Sequence, residues 1–243
     1  MGRGACRGAR GRSTRLTAGA PDGSPRLPSV ARMRIGILGA GVMADALGTR
    51  WAAAGHELMV AGRTAEKAHA LAQKWGGHAG DFREAAAFGD VVLIAVLYQG
   101  MSATLAEIGD ALRGKPVIDC NNPVEVDRFT LVTAPGRAMA RDIQDATGGQ
   151  VVKAFNLCHA RVWEMAPPLF DGRRLAVPYC TDHPAAAAVA RQLIGDVGGE
   201  PVPVGDLRHA HNLEAMAAIV ISLLFGGRDP STVFNLVDAH PPT

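Results

Sequence analysis

From residue 33 onward, short apolar runs alternate with segments whose apolar residues repeat at helical spacing. Arg34-Ile35-Gly36-Ile37-Leu38 is a β-rich run that ends at Gly39. Val42–Ala54 follows as a helix, with Met43, Leu47 and Trp51 at i, i+4 and i+8, and Gly55 closes it. Glu57–Ala61 reads as a second strand. Thr64 then stands as N-cap of a helix whose buried stripe is Ala68, Leu71, Ala72 and Trp75, with Gly76-Gly77 as its stop. Val91–Val96 is unbroken apolar sequence, as expected of a strand covered on both faces. Further on come a helix at Ser102–Leu112, a strand at Pro116–Cys120, a helix at Arg137–Thr147 and a strand at Val151–Phe155. Strands at Leu175–Cys180 and Val202–Val204 flank a helix at Pro184–Val197. The last helix, Arg208–Phe225, is polar in its first half (His209, His211, Asn212, Glu214) and apolar in its second. Strand–helix alternation with short links predicts an α/β fold, a Rossmann-type doubly wound parallel sheet. This domain is expected over residues 33–206, with a small helical C-terminal extension over 207–243.

Charge divides the chain differently. Residues 1–32 hold seven arginines and a single acid, Asp22, in a Gly/Ser/Pro-rich text without apolar periodicity. Such a segment cannot bury enough surface to offset its ordering entropy, so a disordered basic tail is expected there. The overall formal charge is +2, so residues 33–243 carry −4. A mildly acidic body gives no support for nucleic-acid binding. No segment reaches the roughly 18 apolar residues of a membrane span. The four cysteines, Cys6, Cys120, Cys158 and Cys180, form no C-x-x-C pair and no zinc spacing, which points to free thiols in a reducing, cytoplasmic setting. Cys158-His159 is not an obvious nucleophile–base pair, because neighbours in an extended segment point to opposite sides.

Several segments carry candidate chemistry. Gly39-Ala40-Gly41-Val42-Met43-Ala44 is a G-x-G-x-x-A that follows a strand and opens a helix. The first glycine permits the tight turn, the second lets backbone approach a pyrophosphate, and the small last residue lets helix and strand pack closely. The phosphates would then sit on free N–H groups at the positive helix end. At the end of the second strand, where an NAD enzyme places an acid for the ribose 2′-hydroxyl, this chain has Gly62-Arg63-Thr64-Ala65-Glu66-Lys67. Arg63 and Lys67, with the Thr64 hydroxyl, suit a 2′-phosphate dianion, and so NADP over NAD. Val96, Leu97 and Tyr98 lie past the buried strand, where they could floor a nicotinamide or plug the sheet edge. Asn122, in Asn121-Asn122-Pro123, and Asn156, in Lys153-Ala154-Phe155-Asn156, fall at strand carboxyl ends. Their amides could bind a carboxamide or serve only as turn formers.

Taken together, the segments GILGAG, GRTAEKA, DVVLIAV, VIDCNNP, VVKAFN and LRHAHNLE make the chain, over roughly residues 33–226, resemble the NADP oxidoreductases that use the deazaflavin coenzyme F420. The resemblance implies direct hydride exchange between NADPH and the deazaflavin, stacked in one cleft. No acid, base or metal is required for that, since alignment of the rings supplies the catalysis. It further implies that Ala40, Gly41, Val42 and Met43 hold the pyrophosphate, and that Arg63, Thr64 and Lys67 hold the 2′-phosphate. Gly62 departs from the Ser that relatives often carry before the arginine, and Val96-Leu97-Tyr98 departs from their I-P-W.

Two other functions compete. A reductase of a small carbonyl or imine would need a proton donor, for which Tyr98, His159, His209 and His211 are candidates. A non-catalytic NADP(H) sensor would lack room for a second ring. The apolar half of the last helix, Ala217–Phe225, could complete the core or form a homodimer seam.

Overall fold

The computed structural model describes residues 1–2, 31–125 and 127–228. Nearly all of the basic segment, and the chain after Arg228, lie outside the described residues, and with them the tail expectations.

The first βαβ unit forms as its apolar spacing dictates: β1 is Arg34–Leu38, α1 is Val42–Ala53 and β2 is Glu57–Ala61. Helix α2, Ala65–Trp75, ends on Gly76 in the left-handed conformation. Two elements then appear that the hydrophobic pattern did not disclose, the three-residue strand β3, His78–Gly80, and helix α3, Phe82–Phe88. Helix α3 is set by a reciprocal capping box. The Glu84 backbone N–H donates to the Asp81 carboxylate at 2.7 Å, and the Asp81 N–H donates to the Glu84 carboxylate at 2.9 Å. Strand β4, Val91–Ile94, leads to helix α4, Tyr98–Ile108, which starts four residues before the expected Ser102.

Strand β5, Pro116–Asp119, is followed by the small hairpin β6, Val124–Glu125, with β7, Thr130–Leu131. Helix α5, Met139–Thr147, precedes β8, Gln150–Lys153. A second small hairpin pairs β9, Leu169–Phe170, with β10, Arg173–Arg174. Strand β11, Ala176–Thr181, helix α6, Pro184–Asp196, and strand β12, Glu200–Pro203, come next. A short 3-10 turn then leads into helix α7, Ala210–Phe225.

The main sheet runs β12-β11-β8-β5-β4-β1-β2-β3. It is parallel, as expected of a doubly wound sheet, except where β11 meets β8 antiparallel. The long excursion between β8 and β11 contains a turn and a hairpin in place of a full crossover helix, so the chain re-enters the sheet in the opposite sense. Alternation along the strands splits the core in two. Ile35, Ile37, Val91 and Leu93 join Leu47, Trp51 and Trp163 on one face, while Leu38, Val92 and Ile94 join Met101, Ile108 and Ile143 on the other. Each such side chain contributes about 1.5–3 kcal/mol by leaving water. Polar ties stitch α1 to α6: the Trp51 indole N–H donates to the Leu193 carbonyl at 3.0 Å, and buried His56 meets Asp196 at 2.9 Å. Strand order reverses between β4 and β1, which puts the crevice of a doubly wound sheet at the carboxyl ends of those strands.

Candidate functional site

The glycine turn at that crevice is dictated by sterics. Gly39 has φ +122°, and a Cβ there would lie 2.1 Å from the Ala95 carbonyl oxygen, so only glycine lets β1 pass the end of β4. Gly41 is the N-cap of α1 and offers no side-chain cap, in contrast to the boxed start of α3. Among the described residues, the first-turn N–H groups of α1 have no side-chain cap, the arrangement that holds a phosphate. Gly62 is explained by the same turn: a Cβ on it would lie 2.8 Å from the Ala40 methyl. The serine common in relatives is excluded by Ala40.

Gly39, Ala40, Gly41, Arg63, Thr64, Lys67, Val96 and Leu97 line one cleft of about 250 Å³, together with Gly62, Phe82 and Thr104. Arg63, Thr64 and Lys67 are exposed at its rim. Among the described residues, neither cation has an ion-pair partner, and the Thr64 hydroxyl does not cap its own helix. Two unspent cations and a free hydroxyl suit a phosphate dianion on an adenosine ribose. Val42, Met43, Asn122 and Asn156 line a second cavity of about 500 Å³, whose remaining wall is mainly apolar: Leu157, Cys158, Ala160, and Ala217, Val220, Ile221 and Leu224 of α7. Adjacent residues at the start of α1 line the two spaces, Gly41 the first and Val42 the second. Val42 and Leu97 are 77% and 71% exposed, so both offer apolar surface at the mouth.

Tyr98 borders neither space. As the first residue of α4 it packs against the core beneath, because the helix begins earlier than expected and turns the ring toward the sheet. Of the candidate proton donors, His159 alone borders the second cavity; His209 sits 3.5 Å from Asp206, away from it. Burial pushes the Cys158 thiol up to about 12, which disfavours the thiolate, and the His159 Nδ1 accepts from the Arg161 backbone N–H.

The floor of the second cavity is held by an amide clasp. The Asn122 side-chain N–H donates to the Asn156 carbonyl at 2.8 Å. The Asn156 side-chain N–H groups donate to the Asn122 amide oxygen and the Leu213 carbonyl, both at 3.0 Å. Phe155 makes this possible by adopting φ +63°, a costly conformation for a bulky residue. Its ring is held edge-on between Trp51 and Trp163, at 6.0 and 5.3 Å.

Beneath the clasp lies a feature that the sequence reading missed. Lys153 Nζ stands 3.0 Å from Asp119 and 3.0 Å from Glu214, all three with fully buried side chains, and it also donates to the Asn121 carbonyl. Glu214 further accepts from the Met139 and Ala140 N–H groups at the start of α5, at 3.1 and 3.4 Å. The expected polar, solvent-facing first half of α7 is thus corrected at Glu214, which turns inward to this pair. Burial opposes the charge on Lys153, but Asp119 and Glu214 outweigh it and hold its pKa above the ordinary lysine value. Burial also pushes the Glu214 carboxyl upward, against the pull of Lys153. A lysine and an aspartate ending two apolar strands were the available signal. Among the described residues, no cluster of His, Cys, Asp or Glu has a metal-binding arrangement.

Comparison with known proteins bears on this geometry. Residues 34–123 match the family described as NADP oxidoreductase, coenzyme F420-dependent. The chain is 30% identical over 210 residues to the F420-dependent NADP reductase of Methanothermobacter thermautotrophicus, covering 79% of this chain and 89% of that protein. It is 29% identical over 187 residues to the metalloreductase STEAP3 of Rattus norvegicus, of whose length it spans only 36%. A crystal structure of a putative F420-dependent NADP reductase from Arthrobacter sp. FB24 superposes with TM-score 0.70 at 24% identity, covering 81% of this chain and 96% of that one. An imine reductase from Myxococcus stipitatus in complex with NADP+ shares the fold at TM-score 0.61 and 24% identity, over 80% of this chain and 63% of that one. The class so defined is that of NADP-dependent oxidoreductases built on a Rossmann-type sheet. Within that class, the chain belongs to the F420-dependent NADP reductase family.

Proposed function

We propose that the enzyme moves a hydride between NADP(H), held along the glycine turn, and the deazaflavin ring of coenzyme F420, held in the second cavity. The observation that supports this reading is that adjacent residues, Gly41 and Val42, line the two spaces, so a ring in each would flank the start of α1. Backbone N–H groups from Gly41 to Met43 hold the pyrophosphate; Arg63, Thr64 and Lys67 hold the 2′-phosphate; Val96 and Leu97 back the nicotinamide. When bound, NADPH supplies a hydride and leaves a cationic oxidised ring. Asn122 and Asn156 shape the floor, and the apolar wall from α7 excludes water from the transfer.

Mixing the protein with NADPH and oxidised F420 tests the reading: the deazaflavin absorbance should bleach with multiple turnovers. Persistence of that absorbance, with NADPH bound, would sink F420 as acceptor. A second reading, reduction of an imine or carbonyl, is favoured by one observation, the imidazole of His159 on the cavity that would hold such a substrate. In that case His159→Asn should abolish turnover of a cyclic imine, whereas F420 reduction should survive the change. Met216 and Ile219, one helical turn apart, leave apolar surface exposed on α7, on which we also base a homodimer. Sedimentation equilibrium should then give twice the 25.3 kDa chain mass.

A further inference from the structure

The buried ions beneath the clasp are two carboxylates and one ammonium, Asp119, Glu214 and Lys153. Among the described residues, the contacts of the Glu214 oxygens are all donors: Lys153 Nζ and the Met139 and Ala140 N–H groups. A proton on Glu214 would find no acceptor there, so these hydrogen bonds favour the carboxylate that forms once the pH exceeds its burial-raised pKa. Asp119 is likewise met by donors, from Lys153 and from the Asn121 backbone and side chain. The positive end of α5 supplies about half a charge opposite Glu214. One lysine and that half-charge do not cancel two carboxylates, so the triad is net negative.

Its place in the fold gives this charge a target. Lys153 donates to the carbonyl of Asn121, next to Asn122 of the second cavity, and Glu214 follows Leu213, whose carbonyl accepts from Asn156 of that cavity. Among the described residues, no lysine, arginine, aspartate or glutamate lines that cavity, so no such side chain there offsets the field from below. Low dielectric and full burial carry the field further than a surface charge would reach.

We infer that the Asp119–Lys153–Glu214 triad is an electrostatic positioning element that stabilises the cationic, oxidised nicotinamide relative to the neutral, reduced one, and so tunes the bound cofactor toward hydride donation. The inference rests on the reading above, in which the nicotinamide, backed by Val96 and Leu97, faces the second cavity across the start of α1.

Direct titration tests it, without turnover. At pH 8 and low ionic strength, dissociation constants for NADPH and NADP+ are measured for the wild-type protein, Glu214→Gln and Asp119→Asn, with 2′,5′-ADP as a probe of the phosphate end. Both substitutions are isosteric and each removes one negative charge. Each should weaken NADP+ relative to NADPH by roughly fivefold, while 2′,5′-ADP binding stays within twofold. Asp90→Asn, on the exposed Arg34 pair, should leave the ratio unchanged. A ratio unmoved in both triad variants overturns the inference while leaving the cofactor reading intact. Loss of 2′,5′-ADP together with both cofactors also overturns it, by reducing the triad to scaffolding. If the wild-type protein binds neither cofactor, the cofactor reading itself fails, and the inference with it.

Discussion

At Arg63, the proposed contact with a 2′-phosphate predicts which coenzyme the cleft accepts. The side chain is exposed at the rim beside Lys67, with no acid at the end of β2 to favour a free ribose hydroxyl. Arg63→Asp should therefore weaken NADPH by roughly thirtyfold or more, and leave NADH within about threefold, in fluorescence titrations of both. Equal losses would remove the 2′-phosphate assignment. Gly39 makes a sharper steric demand: Gly39→Ala puts a methyl 2.1 Å from the Ala95 carbonyl at a φ that L-residues avoid. The variant should lose at least about 2 kcal/mol in denaturant unfolding, along with NADPH binding. These positions were legible in the sequence because turn glycines and paired cations have local causes. Glu214 was not legible. Its partners Asp119 and Lys153 lie far off in the chain, and a glutamate among histidines and an asparagine has the pattern of a solvated helix face.

Elements show the same division. The runs β1, β2 and β4 and the helices α1 and α2 were readable from apolar period alone, within a residue or two at their ends. Helix α4 was misplaced because Gly100 argues against helix, yet the chain turns helical at Tyr98 and carries that ring off the cleft. Strand β3 was too short to have a period, and the antiparallel entry of β11 depends on the path of a connection that no local pattern encodes. The charges joining β5, β8 and α7 carry a pH signature of their own. The folded-state pKa of Glu214 is raised above the ordinary 4.5, chiefly by burial, with Asp119 adding to the rise and Lys153 opposing it. The folded state thus holds a proton that the unfolded state has released over the window between those values. Stability contributed at this site is present below the unfolded value and is lost as pH rises through the folded one. Urea unfolding of Glu214→Gln across pH 4 to 8 should show a flatter profile than the wild type. A parallel offset with the same slope would contradict the raised pKa.

For the molecule as a whole, ligand binding and stability are one equilibrium. Because the glycine turn joins β1, α1 and β4, NADP+ bound there should raise the melting temperature, and NAD+ at equal concentration should raise it much less. Identical shifts would mean that the 2′-phosphate contributes nothing. Among the described residues, no helix is long and apolar enough to cross a membrane. The start of α1 borders the first cleft through Gly41 and the second cavity through Val42 and Met43. Adjacent residues on the two spaces put the acceptor's seat beside that of the coenzyme. Both reactants must then be aboard at once, and double-reciprocal plots at several coenzyme concentrations should converge instead of running parallel, the mark of a ternary complex and not of a shuttle that hands over its cargo between visits.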